Sequence, residues 1–259
     1  MRITVLTNDL ASGIYLAEHG FSLFIEIDEV NILFDTGHSD TFLQNARLLN
    51  IDLNKIDYIV LSHGHWDHGN GLKFLSEKKI ICHPKTFISR YSKISGNNIG
   101  LDIPKEEILK KFDLIEANKP YKITDNILFL GEISRKNDFE SKNTDYIDEK
   151  GIDDYITDDS ALILVINGEL VVITGCSHSG ICNIIEYSKE VTGINKINSV
   201  IGGLHLLRSD DVLTKTIKYL KSQKIKQLLP AHCTGLPALS LLYNEFNISE
   251  VKSGMSWNF

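Results

Sequence analysis

Leu61-Ser62-His63-Gly64-His65-Trp66-Asp67-His68-Gly69 places four metal-binding side chains within six residues, directly after an apolar segment. The preceding Ile56-Asp57-Tyr58-Ile59-Val60-Leu61 is short, β-branched and aromatic, which predicts a buried strand delivering its C-terminal end to a histidine-rich loop. In an extended segment alternate side chains share one face. His63 and His65 can therefore clasp one ion, while a following turn swings Asp67 and His68 toward a second. A merely solvated loop does not explain so many ligand types held between a strand and the pair Gly69 and Gly71.

Outward from this loop, strand and helix patterns alternate. Ile3 to Leu6, Ser22 to Glu26 and Val30 to Phe34 read as successive strands, with Ile27-Asp28-Glu29 as a turn. Asp40 to Leu49 reads as a helix with Phe42, Ala46 and Leu49 on one stripe and Ser39 as its cap. Gly71 to Glu77 predicts a short helix, and Lys79 to Cys82 a strand. Farther on, Ala161 to Ile166, the turn Asn167-Gly168, and Leu170 to Thr174 form a hairpin pattern. Helices are predicted at Ile181 to Val191 and Leu213 to Ser222, with strands at Ser199 to Ile201 and Gln227 to Leu229. Such repetition implies two sheets sandwiched between helices. The middle, about 83–159, is polar and less regular, with a helix expected over Leu101 to Leu109 and a strand at Ile127 to Leu130. It reads as an inserted lid or substrate-recognition segment in a single domain spanning 1–259. Arg90, Lys93 and Arg135 are the cations there to consider for contact with an anionic substrate, against the plainer reading of most of these charges as solvated.

Composition is compatible with this. The chain has 259 residues, 42% of them hydrophobic, enough for a substantial core, and its formal charge of -7 disfavours a primary role in gripping nucleic acid. Met1 to Asp9 reads as a first strand and not a signal peptide, and no apolar run reaches the length of a membrane span. The four cysteines, Cys82, Cys176, Cys182 and Cys233, show no CxxC spacing, which fits a reducing cytoplasm. The aromatic stretch Val251 to Phe259 has three readings: packing on the core, docking on a second copy as a homodimer, or lining a pocket.

His63-Gly64-His65-Trp66-Asp67-His68 resembles the HxHxDH signature of the metallo-β-lactamase-fold superfamily, and Leu33-Phe34-Asp35-Thr36-Gly37 resembles its upstream strand and turn. Thr174-Gly175-Cys176-Ser177-His178-Ser179-Gly180, Gly202-Gly203-Leu204-His205-Leu206 and Pro230-Ala231-His232-Cys233-Thr234-Gly235 are similar to a subgroup named for a 7,8-dihydropterin-6-methyl-4-(β-D-ribofuranosyl)-aminobenzene-5'-phosphate synthase. The resemblance implies an α/β fold, a four-layer αβ/βα sandwich of two mixed sheets flanked by helices. It also implies that His232 supplies the last ligand of a second metal and that Asp35 orients the histidine loop from behind. Asp35 has an equally good local reading as a turn-forming residue. Where the superfamily carries a Thr-Gly-Asp turn with a bridging carboxylate, this chain has Cys176. Either its thiolate replaces that carboxylate, or His178 completes the first site, or Cys176 is a small packed residue. The expected sites are then His63, His65 and His178, and Asp67, His68 and His232, with Asp158 and Asp159 as substitutes for the missing carboxylate. His205, after Gly202-Gly203, is the candidate general acid or substrate-phosphate contact. His19, His38 and His83 read as surface residues or residues behind the ligands.

Two divalent ions, zinc first and manganese or iron tolerated, would sit about 3.5 to 4 Å apart and hold a hydroxide at neutral pH. Asp67 would orient or deprotonate the attacking water, and His205 would protonate the leaving oxygen. The expected function is a metal-dependent hydrolase acting on a small anionic ester, a phosphoester first, through the metal-bound hydroxide. Three other classes compete: a dihydropterin-related synthase, an iron-dependent redox protein, and a non-catalytic metal-binding or sensing protein.

Overall fold

β-branched runs that alternate inward and outward side chains, joined by amphipathic helices, resolve into two sheets packed face to face. The computed structural model describes residues 1–246 and 248–259. Its first half contains β1 (Arg2–Thr7), β2 (Ser22–Ile27), β3 (Val30–Phe34), α1 (Thr41–Leu48), β4 (Tyr58–Val60), α2 (Trp66–Gly69), β5 (Lys79–Cys82), β6 (Arg90–Ser92), α3 (Lys105–Lys111) and β7 (Asp113–Glu116). There follow β8 (Tyr121–Thr124), β9 (Ile127–Phe129), β10 (Tyr146–Asp148), β11 (Ala161–Ile166), β12 (Glu169–Thr174), α4 (Ile181–Thr192), β13 (Ile197–Gly203), α5 (Asp211–Ser222), β14 (Gln227–Ala231), α6 (Leu236–Phe246) and β15 (Ser256–Asn258). One sheet has the order β15-β1-β2-β3-β4-β5-β7, and the other β14-β13-β12-β11-β9-β8.

The strand period of two sorts side chains into layers. In β12, Val171 and Ile173 face the opposite sheet, while Leu170 and Val172 face α4 and α5. In the first sheet Ile32 and Phe34 point to the same central core, and Leu33 points outward to the cluster containing Phe42, Ala46 and Ile108 of α1 and α3. Fully burying each such aliphatic side chain is worth roughly 1.5–3 kcal/mol, so the layering is strongly specified. This is the four-layer αβ/βα sandwich expected from the sequence. The Asn167-Gly168 turn has positive φ at both residues, as the tight hairpin between β11 and β12 requires.

Strand direction positions the site. β3, β4, β5 and β7 run parallel, as do β12, β13 and β14, so their C-terminal ends emerge along common edges. Loops leaving those ends carry the chemistry, as in other open α/β sheets.

Several local expectations shift. The loop after β4 leads into α2, a single turn carrying Asp67 and His68, followed by a 3-10 segment over Asn70–Phe74 where a short helix over Gly71 to Glu77 was expected. The helix expected from Leu101 starts only at Lys105, because Pro104 disfavours helical backbone in the residue before it. Segment 83–159 is partly built into the sandwich: β7 extends the first sheet, and β8 with β9 extends the second. The β6–β10 ribbon stands outside both. Arg90, at the start of β6, is fully buried and pairs with Asp158 at 2.9 Å and Asp154 at 3.2 Å. Asp158 also accepts the Gly64 N–H at 2.7 Å, which clamps the ribbon to the histidine loop. The C-terminal aromatics pack on the core: β15 pairs with β1, setting Trp257 opposite Ile3.

Candidate metal centre

The histidine loop works because two strand exits approach it without side chains between them. A Cβ on Gly64 would run into the carbonyl of Thr86, and one on Gly175 into the Ser62 hydroxyl. Asp35, just past β3, is fully buried in left-handed backbone with φ of 55°, and three donors converge on it. They are Ser62 N–H at 2.8 Å, Ser62 Oγ at 2.7 Å and His68 Nδ1 at 2.7 Å. Charge-assisted bonds of this kind offset the backbone strain.

These bonds decide which imidazole nitrogens remain open. Because Ser62 Oγ donates to Asp35, its contact with His63 Nδ1 at 2.9 Å makes that nitrogen the donor and leaves Nε2 as the lone-pair nitrogen, facing His65 Nδ1 at 3.0 Å. His68 donates from Nδ1 to Asp35, so its Nε2 is likewise open. His232, in left-handed backbone after β14, is held through its N–H on Asn8 at 3.0 Å and its Nδ1 on Asp9 at 3.0 Å. Its Nε2 therefore faces His68 Nε2 and Asp67 Oδ2, each at 3.2 Å.

Two clusters result. His63, His65 and His178 bring ligand atoms within 4.8 Å of one another, and so do Asp67, His68 and His232. Cys176 lies between them, grouped with His63 and His68 on one side and with His232 and Cys233 on the other, its Sγ 3.2 Å from His68 Nε2. The donors fit a pair of divalent cations. His178 Nε2 is buried without a hydrogen-bond partner among the described residues, a cost of about 1–3 kcal/mol that a cation in front of it removes.

Electrostatics agree. Burial, reinforced by neighbouring imidazoles, holds the pKa values of His63 and His178 well below the ordinary histidine value. Burial together with the Arg90 charge does the same for His65. Lone pairs rather than protons thus face the first cluster. Burial would raise the Asp67 pKa, but His68 and His232 outweigh it and keep the carboxyl ionised far below its usual range. Burial likewise opposes charging of His232, yet Asp67 and Asp9 hold its pKa well above the usual value, so this cluster attracts positive charge. Burial, with Cys233 and Asp67 adding to it, pushes the Cys176 thiol well up.

The other anticipated residues lie outside the two clusters. His205 joins neither cluster; its ring lies 4.3 Å from that of His178, and its Nε2 3.5 Å from the Tyr146 hydroxyl. Asp158 is taken by Arg90 and Gly64, and Asp159 by Ser179 N–H at 2.8 Å, so neither substitutes for the bridging carboxylate. Arg90 is sealed in its ion pairs, Lys93 pairs with Asp153 at 2.7 Å, and Arg135 bonds the carbonyls of Tyr155 and Ile156. None of these cations is directed at the clusters.

Sequence reasoning missed Asp9, Cys233 and Tyr146, and set His19 aside. His19 reaches Asp67 at 3.4 Å, and the Tyr146 ring packs edge-on against those of His65 and His178 at 5.1 and 5.5 Å. No local pattern marks them, since Asp9 meets His232 across 223 positions of chain.

Fold and site define a class: the chain belongs to the metallo-β-lactamase superfamily of metal-dependent hydrolases, whose family model matches residues 16–85. It is 33% identical, over 95% of its length and 92% of the relative's, to the 7,8-dihydropterin-6-methyl-4-(beta-D-ribofuranosyl)-aminobenzene-5'-phosphate synthase of Methanocaldococcus jannaschii. It is 42% identical to an uncharacterized protein of the same organism, over 93% of each chain. Among solved structures it is similar to Tm1679, described as a metal-dependent hydrolase of the beta-lactamase superfamily. That match has a TM-score of 0.89 and 34% identity, covering 100% of this chain and 99% of the other. The fold of this superfamily implies divalent metal binding.

Proposed function

We propose that this chain is a metal-dependent hydrolase of a small phosphoester, with His63, His65 and His178 holding one divalent ion and Asp67, His68 and His232 a second. The observation that carries the reading is the convergence of imidazole lone pairs and a carboxylate whose outward-facing partners, Ser62, Asp35 and Asp9, are already engaged. Imidazole and carboxylate donors suit zinc first, and manganese or iron next. Such ions supply Lewis acidity and bring the pKa of water down to about 7. Asp67, kept ionised, is a weak base, so its part is to hold and orient the attacking water. His205 stands beyond the first cluster, where it donates a proton to the leaving oxygen as the phosphorus–oxygen bond breaks and the water oxygen bonds to phosphorus. Tyr146 steadies that imidazole through its hydroxyl. Four free cysteines suit a reducing cytoplasm, and no helix among the described residues is long and apolar enough to cross a membrane.

Elemental mass spectrometry and a phosphoester screen of wild type, His65→Ala and His232→Ala test this. About two ions per wild-type chain are expected, with loss of metal and of turnover in both variants. Turnover that survives either substitution removes the reading.

A second reading has its own support in the 33% identity to the named synthase. In that case a pterin diphosphate would be the activated substrate: an arylamine nitrogen would attack the carbon that bears the diphosphate, the carbon–oxygen bond would break, and diphosphate would leave. Product analysis with and without an arylamine separates the two, since only the synthase forms a new carbon–nitrogen bond.

A further inference from the structure

We propose that the cavity beside the first histidine cluster is a leaving-group pocket for one compact, uncharged ring, so that the substrate carries its negative charge only at the reacting group. This rests on the hydrolase reading and gives it a substrate class.

The cavity, of about 160 Å³, is lined by Ser141 and by Asn143 to Tyr146 of the ribbon segment on one side and Leu204 to Leu206 after β13 on the other. It shares Tyr146, His178 and His205 with a cleft of about 300 Å³ that lies over both ligand clusters. A molecule whose reacting atom sits among the ligands therefore extends its next atoms past His205 into the smaller space. Size restricts the occupant, because a cavity of about 150 Å³ holds one benzene ring. Ile156, Leu204, Leu206 and Val212 supply apolar walls for ring faces, while Asn143 and Thr144 offer hydrogen bonds to a ring edge.

Charge restricts it further. Among the described residues no lysine or arginine lines either cavity, whereas the carboxyl-bearing Glu140 and Asp145 line the smaller one. Of the basic residues nearby, Arg90 pairs with Asp158 and Asp154 and Lys93 with Asp153, while Arg135 is held by the carbonyls of Tyr155 and Ile156 and Lys142 by the carbonyl of Asn137. With His205 engaged by the leaving oxygen and the ions by the reacting group, an anionic substituent on the ring would lose its hydration and meet Glu140 and Asp145 with no lysine or arginine in the lining, which selects against it.

The test uses the metal-loaded full chain with saturating inorganic phosphate occupying the ligand clusters. Saturation-transfer NMR then reads phenol and benzoate as probes in wild type, in Val212→Trp, which fills the pocket from α5, and in Asn143→Lys at its exposed rim. Phenol should bind wild type at least tenfold more tightly than benzoate and lose its signal in Val212→Trp, with folding checked by circular dichroism. Asn143→Lys should raise benzoate binding at least tenfold. Equal binding of the two probes in wild type, or unchanged benzoate binding in Asn143→Lys, overturns the proposal, as does unchanged phenol transfer in folded Val212→Trp. Kinetics on an aryl phosphate and its ring-carboxylated analogue complete the test, with kcat/KM expected to favour the uncharged ring tenfold or more. If the probe pattern holds and no phosphoester is turned over, the pocket stands and the hydrolase reading falls. If both aryl phosphates are hydrolysed equally well, the hydrolase reading stands and the pocket assignment falls.

Discussion

Asp35 is one carboxylate serving three donors, and through them it sets the tautomers of His63 and His68. Replacing it with asparagine leaves one donor facing an N–H₂ group and removes the charge that orients both rings. Asp35→Asn should weaken metal binding by about 10–100-fold, measured by competition with a chromogenic chelator. A different kind of residue is Cys82, whose thiol burial pushes up to about 12, while burial also raises that of Cys182. At pH 8 both stay protonated in the fold, and the thiol is the unreactive form. Iodoacetamide at that pH should leave both unmodified in native protein and label both after unfolding, as mass spectrometry would show. At this scale the HxHxDH residues of the two clusters were legible in the sequence because their spacing is local. Asp9 and Tyr146 were not, because each is defined by a partner far along the chain.

The β6–β10 ribbon is tied to the histidine loop by a buried ion network as well as by the packing of Tyr146 on His65. Arg90 lies in it with no exposure, between Asp154 and Asp158, and Asp158 passes the connection to Gly64. Removing the guanidinium leaves buried carboxylates without a counter-ion. Arg90→Met should cost about 3–5 kcal/mol in chemical denaturation, whereas Lys93→Met, which breaks a largely exposed pair, should change stability by less than about 1 kcal/mol. Among elements, the hairpin of β11 and β12 and the helices α4 and α5 were readable from periodicity, since each has a turn or stripe of its own. The short β6 and β10 strands carry no such pattern. Three-residue strands are made by their pairing, here Tyr146 opposite Ser92 and Asp148 opposite Arg90, and not by composition.

Across the whole molecule, the exits of strands from both sheets meet along one edge, so the two clusters join the halves of the sandwich. His63, His65, Asp67 and His68 come from the first sheet's side, and Cys176, His178 and His232 from the second. Metal binding should therefore stabilise the entire fold. At a free metal concentration near 100 times the dissociation constant, linkage contributes about 2.7 kcal/mol, so chelation should lower Tm by roughly 5–10 °C in calorimetry. An unchanged Tm after complete metal removal would show that the clusters do not bridge the halves. The segment leading into β15 takes part in the same construction, because Ser253 and Val251 hold Asn8, which receives the His232 N–H. By itself the sequence determined the layered α/β architecture and the candidate ligand motif, since hydrophobic period and motif spacing are properties of adjacent residues. Only the tertiary structure decided that Cys176 stands between the clusters, that Arg90 is sealed away from them, and that Asp9 and Tyr146 belong to the site. Those are outcomes of strand register and burial, which bring together groups that chain order keeps far apart.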